Sequence, residues 1–473
     1  MTRAQEHARV LGDSPARTAL LPLLLGTFVG TLNNNIVNVP LRAIMRDLHV
    51  GLSRGALVVI SFNLSLAIFM PLAGWGADRF GRRRVFVCAT LALAASSIGS
   101  SAAPSLGILV AFRVLQGVSG AAILPCVMGL ITDLYGQSGR SRALGFWASA
   151  NGLGQTIGPP LGGVLASWLS WRWIFAPSVP LAALAAAGAV RFVPASRPRP
   201  IRLEWRGAAL LTVGVGLVVS AVTAVAELGP ASPAVGVLGA GGVAALAAFV
   251  HHGRRRAEPF VDPRLLAEPS FLRSSTAVCA QMFCLGATVL AVPLYLTRTG
   301  HRTTAEVGLV VFALPAAMTL LAPLAGIASE RLGPRRVLRS GMTVLVVSEA
   351  VLAGVVGAHV AVGGLVAALV LVGTGIAFVQ TPAATGATRS EAGRVGTGLG
   401  VFNLVRFAGS ALGGAWATIA LTELGAYPVV FVVCSALAAL GLGGTWSAPR
   451  PTPTATGTAP APGDAPTARS EKG

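Results

Sequence analysis

The sequence predicts an all-α polytopic membrane protein built as two six-helix bundles with two extra transmembrane helices between them. Three observations predict it. Of 473 residues, 53% are hydrophobic and 11% charged, with a mean hydropathy of +0.72. A soluble domain of that size needs more charge to cover its surface. Apolar runs long enough to cross about 30 Å of hydrocarbon, roughly 20 residues each, recur along nearly the whole chain. Finally, GWGADRFGRRRV at 74–85 returns as GIASERLGPRRV at 326–337. Each copy lies between two apolar runs, so a helix-loop-helix unit has been duplicated, and paired halves with a site between them are a common plan of secondary transporters.

Taken in order, the expected spans begin with 19–41, which is long, lacks a small-residue cleavage pattern at its exit and is expected to remain as a membrane helix. It ends in the polar stretch LNNNIVNV. Spans 54–74 and 84–103 flank the first repeat copy. Span 106–131 carries FRVLQGVSGAA, and span 141–166 carries GQTIGPPLGG; WRWIF at 171–175 leads into span 173–193. The repeat offset, 326 − 74 = 252 residues, leaves room for eight spans where a doubled six-helix unit needs six. Spans 207–227 and 233–251, each bordered by an arginine-rich linker, are the expected insertion. Between 252 and 271 a short amphipathic surface helix and an irregular loop are both compatible with the sequence. The second half repeats the plan with 272–296, 306–328, 337–357, 361–384, 396–420 and 427–447. The expected division is a cytoplasmic segment 1–18, a bundle 19–193, a linker region 194–271, a second bundle 272–447 and a disordered cytoplasmic tail 448–473 rich in Pro, Thr and Ala.

Arginine decides orientation, because cytoplasmic loops carry the basic excess. One side holds Arg82 to Arg84, Arg254 to Arg256, Arg335 and Arg336 among many others, the opposite side Arg42, Arg46, Arg54, Arg172, Arg298 and Arg302. Both termini are therefore expected in the cytoplasm, with the chain in the cell inner (cytoplasmic) membrane. The net charge of +19 does not indicate nucleic acid, since the basic residues are spread through short loops instead of gathered on one face. The five cysteines all fall within spans, and no metal site, cofactor or disulfide framework is expected. No G-x-x-x-x-G-K-[ST] stands for ATP-driven transport, and no loop offers a catalytic constellation. An enzyme or sensor is the remote reading.

Chemistry concentrates in a few places. In the first repeat copy Gly74 and Gly81 permit tight turns, and Asp78 can accept from a neighbouring helix N-terminus and pair with arginine. Asp78 with Arg79, Arg82 and Arg83, echoed by Glu330 and Arg331, reads as a charge latch closing the cytoplasmic side. Gly154, Gly158, Gly162 and Gly163 let two helices approach closely, and the proline pair beginning at Pro159 weakens the hydrogen-bond ladder, giving a bent helix able to rock against the other half. Arg113 near the middle of a span costs about 2.5 to 3.5 kcal/mol to insert, so it should face the interior, a partner or water. Arg406 repeats the problem in the second half.

On these motifs the chain resembles the major facilitator superfamily up to its tail. The 74–84 loop is similar to that family's signature, Arg113, Gln116 and Gly117 match its R-x-x-Q-G element, and Gly154, Gly158, Pro159, Gly162 and Gly163 match the pattern of its exporters. With WRWIF and the two added spans, the resemblance is to the fourteen-helix drug:proton antiporter branch. It implies a monomeric, proton-coupled exporter of amphiphilic drugs, antibiotics or metabolites working by alternating access. The pattern fails at one place: where relatives in this branch carry an acid in span one, this chain has Asn33, and an amide exchanges no proton. If protons drive transport, another group carries them. Glu349, the acidic residue placed well inside a span, is the candidate, with Arg113 and Arg406 beside the path. Uptake or uniport of a small metabolite without protons is the alternative. Scarce buried acid also points away from cationic substrates, toward neutral or anionic amphiphiles held by Asn33, Asn34, Asn35, Asn38, Asn63, Gln116, Asn151, Gln155, Gln281, Gln380 and Asn403 among apolar walls.

Overall fold

The computed structural model describes residues 13–446, apart from 137–138, 230, 257 and 300–303. Residues 1–12, Arg302 and the tail expected to be disordered lie outside the described residues. Among the described residues there are fourteen long helices: α1 Asp13–Asn35, α2 Leu52–Phe80, α3 Arg82–Ser101, α4 Leu106–Tyr135, α5 Arg140–Trp168, α6 Ser178–Phe192, α7 Trp205–Leu228, α8 Pro233–Arg254, α9 Pro269–Thr299, α10 Thr304–Leu332, α11 Pro334–Gly357, α12 Val362–Arg389, α13 Gly396–Glu423 and α14 Tyr427–Gly444. No strand occurs among the described residues. In hydrocarbon every backbone polar group needs an internal partner, which a helix alone supplies within one segment.

Twelve of these helices are long and apolar enough to cross a membrane, α6 together with the 3-10 turn Trp171–Phe175 that precedes it. The exceptions are α1 and α5; α5 carries Arg140, Arg142, Asn151, Gln155 and a run of glycines. One local outcome differs from the sequence expectation, and another bears on an alternative the sequence left open. The first span was expected to reach residue 41, but α1 stops at Asn35, and a separate helix, Leu41–Asp47, follows Pro40. Proline has no donor to continue the ladder and disfavours helix at the residue before it. The linker after α8 holds a helix of four residues, Pro263–Leu266, too short to form an amphipathic surface element. At the start of α7 the Glu204 carboxylate accepts from the N–H groups of Arg206 and Gly207, which fixes where that helix begins.

The packing repeats itself. In the first six helices α1 lies against α4, α5 and α6, α3 against α4 and α6, and α2 against α4. Adding eight to each label gives the principal contacts of the last six: α9 with α12, α13 and α14, α11 with α12 and α14, and α10 with α12. Contacts between the two sets exchange under the same shift, α5 with α10 and α12 answering α13 with α2 and α4. That is the contact pattern of a pseudo-twofold axis. The backbone follows suit, since the glycines joining the repeated helix pairs, Gly81 and Gly333, both take a left-handed φ, +95° and +87°. Of the two inserted helices, α7 packs on α2 and α13, whereas α8 packs on α7 and has 11% of its most apolar stretch buried. By contrast α4, with 83% buried, is the most enclosed.

Candidate functional site

Between the two sets of helices lies a cavity of about 590 Å³, lined from α1, α2, α4, α5, α7, α9 and α13. It occupies the part of the molecule away from the repeat loops: its α2 residues run from Val59 to Ala67, whereas the repeat begins at Gly74. Asn34, Asn35, Asn38, Asn63, Asn151 and Gln155 supply amides, and Ile123, Leu124, Met282, Leu285 and Phe407 supply apolar wall. The amides form a chain across α1 and α5, with Gln155 donating to Asn151 Oδ1 at 2.7 Å and Asn151 donating to Thr31 Oγ1 at 3.2 Å. Arg406 carries the one charge among the described lining residues, and no carboxylate faces the space.

The structure separates the other candidates from this cavity. Arg113 is fully buried within the first six helices. Its Nε donates to Val58 O at 2.9 Å, and its Nη1 donates to Asn33 O, Asn33 Oδ1 and Gln116 Oε1 at 3.1, 3.2 and 2.9 Å. The guanidinium stacks over Phe62 at 4.3 Å. Asn33 in turn donates to Ser97 and Ser178, both at 3.0 Å, and Gln116 to Ser97 at 3.1 Å. Asn33 and Gln116 therefore serve a polar knot inside the bundle and do not line the cavity. Gln281 and Gln380 are buried elsewhere, and their side-chain amides have no hydrogen-bond partner. Asn403 backs the cavity from α13, donating to Leu399 O and holding Arg406 Nη1 at 2.9 Å. Glu349 on α11 is also fully buried, with Oε1 accepting from Thr288 on α9 at 3.4 Å and Oε2 unpartnered. Since 349 − 252 = 97, it stands in the second set where Ser97 stands in the first.

At the end that carries the repeat loops the two sets meet directly. Asp78, 4% exposed, accepts from the N–H of Gly396 at the start of α13 and pairs with Arg82 at 3.2 Å. Arg82 also reaches Asp133 at 3.1 Å, Gly129 O at 3.0 Å and, across the divide, Arg394 O at 3.2 Å. Gly74 and Gly396 touch backbone to backbone, leaving no room for a Cβ on either. In the second copy Glu330 pairs with Arg142 at 3.2 Å and accepts from its N–H at 3.1 Å. Pro334 occupies the place of Arg82, so the second cluster is smaller and wetter. Arg79 and Arg331 are exposed, and Arg83 ties its own half together through Val190 O and Ser196.

The glycine pattern of α5 faces its own half. A Cβ on Gly154 or Gly158 would lie 2.8 Å from Phe28 O or 2.9 Å from the Asn35 Cβ, and Gly162 and Gly163 likewise abut Ile36 and Val39 after α1. The glycines that meet α10 are Gly145 and Gly152, which sequence reasoning passed over, and Ser149 between them donates to Thr319 O. The cavity wall from α7, formed by Val219, Val222 and Thr223, was also missed. So was the linker from 194 to 204, where Arg199 bonds Asp78 O on one side and Arg394 O on the other.

The sequence profile of the Major Facilitator Superfamily matches residues 23–414, and again 274–471. The chain belongs to the Major Facilitator Superfamily. It is 31% identical over 403 residues to Multidrug resistance protein Stp of Mycobacterium tuberculosis, covering 84% of this chain and 75% of that one. Drug efflux pump JefA of the same organism is 29% identical over 424 residues, covering 87% and 81%. Puromycin resistance protein pur8 of Streptomyces alboniger is 33% identical over 266 residues, covering 55% and 52%. Among solved structures, the human organic anion transporter MFSD10 (TETRAN) superposes with a TM-score of 0.67 at 17% identity, covering 92% of this chain and all of that one, a likeness of fold. Members of the superfamily are membrane transporters of small molecules and not enzymes, and this chain is one of them.

Proposed function

We propose that this transporter is a proton-coupled exporter of amphiphilic drugs, antibiotics or metabolites, working as a monomer by alternating access in the cytoplasmic membrane. In this reading all fourteen helices span, both termini lie in the cytoplasm, residues 19–193 and 272–447 are the moving bundles, and 194–271 is an insertion between them. The observation that carries it is the pairing of an amide-lined cavity between the two sets with a direct meeting of the sets at the arginine-rich end. Asp78, Arg82, Gly74, Gly81, Glu330 and their partners act as the latch that holds the cytoplasmic end shut while the cavity serves the outside. The efflux and resistance names of the relatives support the direction of transport.

Proton coupling is assigned to Glu349, the buried carboxyl group with an unpartnered oxygen, in place of the acid that Asn33 lacks. The competing reading, a uniporter or importer without protons, draws on Asn33 and on the acid-free cavity. Everted vesicles separate them. Accumulation of labelled amphiphiles should need an imposed pH gradient and collapse with a protonophore. Glu349→Gln should lower gradient-driven accumulation by about tenfold or more while leaving substrate binding in place. Accumulation indifferent to the gradient would establish the facilitator instead.

A further inference from the structure

Two buried arginines invite comparison. Arg113 has four acceptors around it and lines no cavity. Arg406, 2% exposed, has one acceptor, Asn403 Oδ1, and its Nε has none. Two aromatic rings lie near its guanidinium, Trp147 at 5.1 Å and Phe407 at 5.9 Å. Buried guanidinium groups are ordinarily saturated with acceptors, because an uncompensated charge away from water is costly. Arg406 is undersupplied, yet it borders the cavity, where the other described polar groups are uncharged amides and hydroxyls able to donate. A brace would be gripped by several acceptors, as Arg113 is by four even though its Nη2 has none. A group that waits for its acceptor would look like Arg406.

We propose that Arg406 is the recognition site for an anionic group on the substrate, and that the transported class is amphiphilic organic anions: an apolar or aromatic body bearing a carboxylate, sulfonate or phosphate ester. The anion takes the open donors of Arg406, Ser410 on the next turn of α13 lies beside it, and Val219 and Val222 of α7 face the apolar body. This rests on the reading of the cavity as the transport site, and it adds a substrate charge to that reading.

The probes are labelled indole-3-acetate, the neutral isostere indole-3-acetamide and the cation tryptamine, measured for equilibrium binding to the purified full-length protein and for transport in proteoliposomes. The wild type should bind the acetate about tenfold tighter than either competitor. Arg406→Gln should bring acetate and acetamide within about twofold of each other, and Arg406→Lys, which keeps the charge, should retain part of the preference. Equal binding of acid and amide by the wild type, a parallel loss of both in Arg406→Gln, a preference for tryptamine, or binding of none of the three overturns the anion site. Acetate binding that depends on Arg406 without acetate transport upholds the anion site and sinks the transport reading. Transport of amide or amine with no dependence on Arg406 does the reverse.

Discussion

Asn33 and Arg113 show what a single side chain decides. The guanidinium is buried with amide, carbonyl and ring partners and no carboxylate, and Asn33 Oδ1 sits 3.2 Å from Nη1. Asn33→Asp would place a formal negative charge at that distance, and the Ser97 and Ser178 hydroxyls that now accept from the amide can rotate to donate to it. A hydrogen bond to a charged group is worth about 1.5 to 3 kcal/mol, so the thermal midpoint of the solubilised protein should rise by several degrees. Asn33→Ala, which removes an acceptor and leaves the guanidinium short, should lower it by a comparable amount. A midpoint unmoved by both substitutions would show that the knot around Arg113 does not need Asn33. The carboxylate variant also puts an acid back into the first span. If Glu349 alone carries the proton, gradient dependence in Asn33→Asp should still vanish when Glu349→Gln is added.

Among elements, the side away from the repeat loops is fastened by a short segment. Asp47, at the end of the helix Leu41–Asp47, accepts from the Trp171 indole at 2.9 Å and from Arg172 at 2.7 Å, both in the turn that leads into α6. The Trp171 hydrogen bond first, then Arg172, hold its carboxyl below the usual carboxylate range. A carboxyl depressed on folding stabilises the fold above its unfolded value, about 3.9, and that contribution is lost as the pH falls through the lower folded value. Asp47→Asn should therefore be less stable than the wild type at neutral pH, and the gap between the two melting curves should narrow as the pH falls below the unfolded value and through the lower folded one; a gap that stays constant as the solution is acidified through that range would contradict the linkage. WRWIF stood out in the sequence, but its partner did not, because spacing along the chain says nothing about which loop tip a turn meets. The same limit explains the cavity. The all-helical architecture and the doubled pattern of contacts were legible from apolar runs and the 252-residue repeat. The lining was not, since Asn33 and Asn34 are adjacent in sequence yet the first turns into the bundle and the second to the cavity, and only the rotation of α1 separates them. Nothing in the hydropathy of α7 told that one of its faces, through Val219, Val222 and Thr223, belongs to the cavity wall.

At the scale of the whole molecule, the question is how an approximately symmetric frame comes to favour one state. The pseudo-twofold pattern of contacts makes the two sides of the divide equivalent in outline, α2 against α13 and α10 against α5. The chemistry breaks that equivalence. Asp78 is 4% exposed and caps α13 beside the buried Arg82, whereas Glu330 meets Arg142, whose side chain is 53% exposed, with proline in the place of a second arginine. Closure of the arginine-rich end should thus depend far more on the first cluster than on its repeat. Asp78→Ala strands the buried Gly396 N–H and removes the anion from a helix N-terminus, a loss of about 2 to 3 kcal/mol, which multiplies the population open at that end by roughly thirty to a hundred and fifty. Glu330→Ala deletes one backbone contact and a half-exposed ion pair worth about 1 kcal/mol or less, less than about a tenfold change. Spin labels at Arg79→Cys and Arg331→Cys, exposed positions on opposite halves, in a background without the five native cysteines, would read the two populations by pulsed EPR. A long-distance population that grows strongly for Asp78→Ala and little for Glu330→Ala places the bistable element in the first copy of the repeat. Equal growth would mean that the two copies share the closure, and that the loss of arginine at Pro334 is compensated elsewhere along α5 and α10.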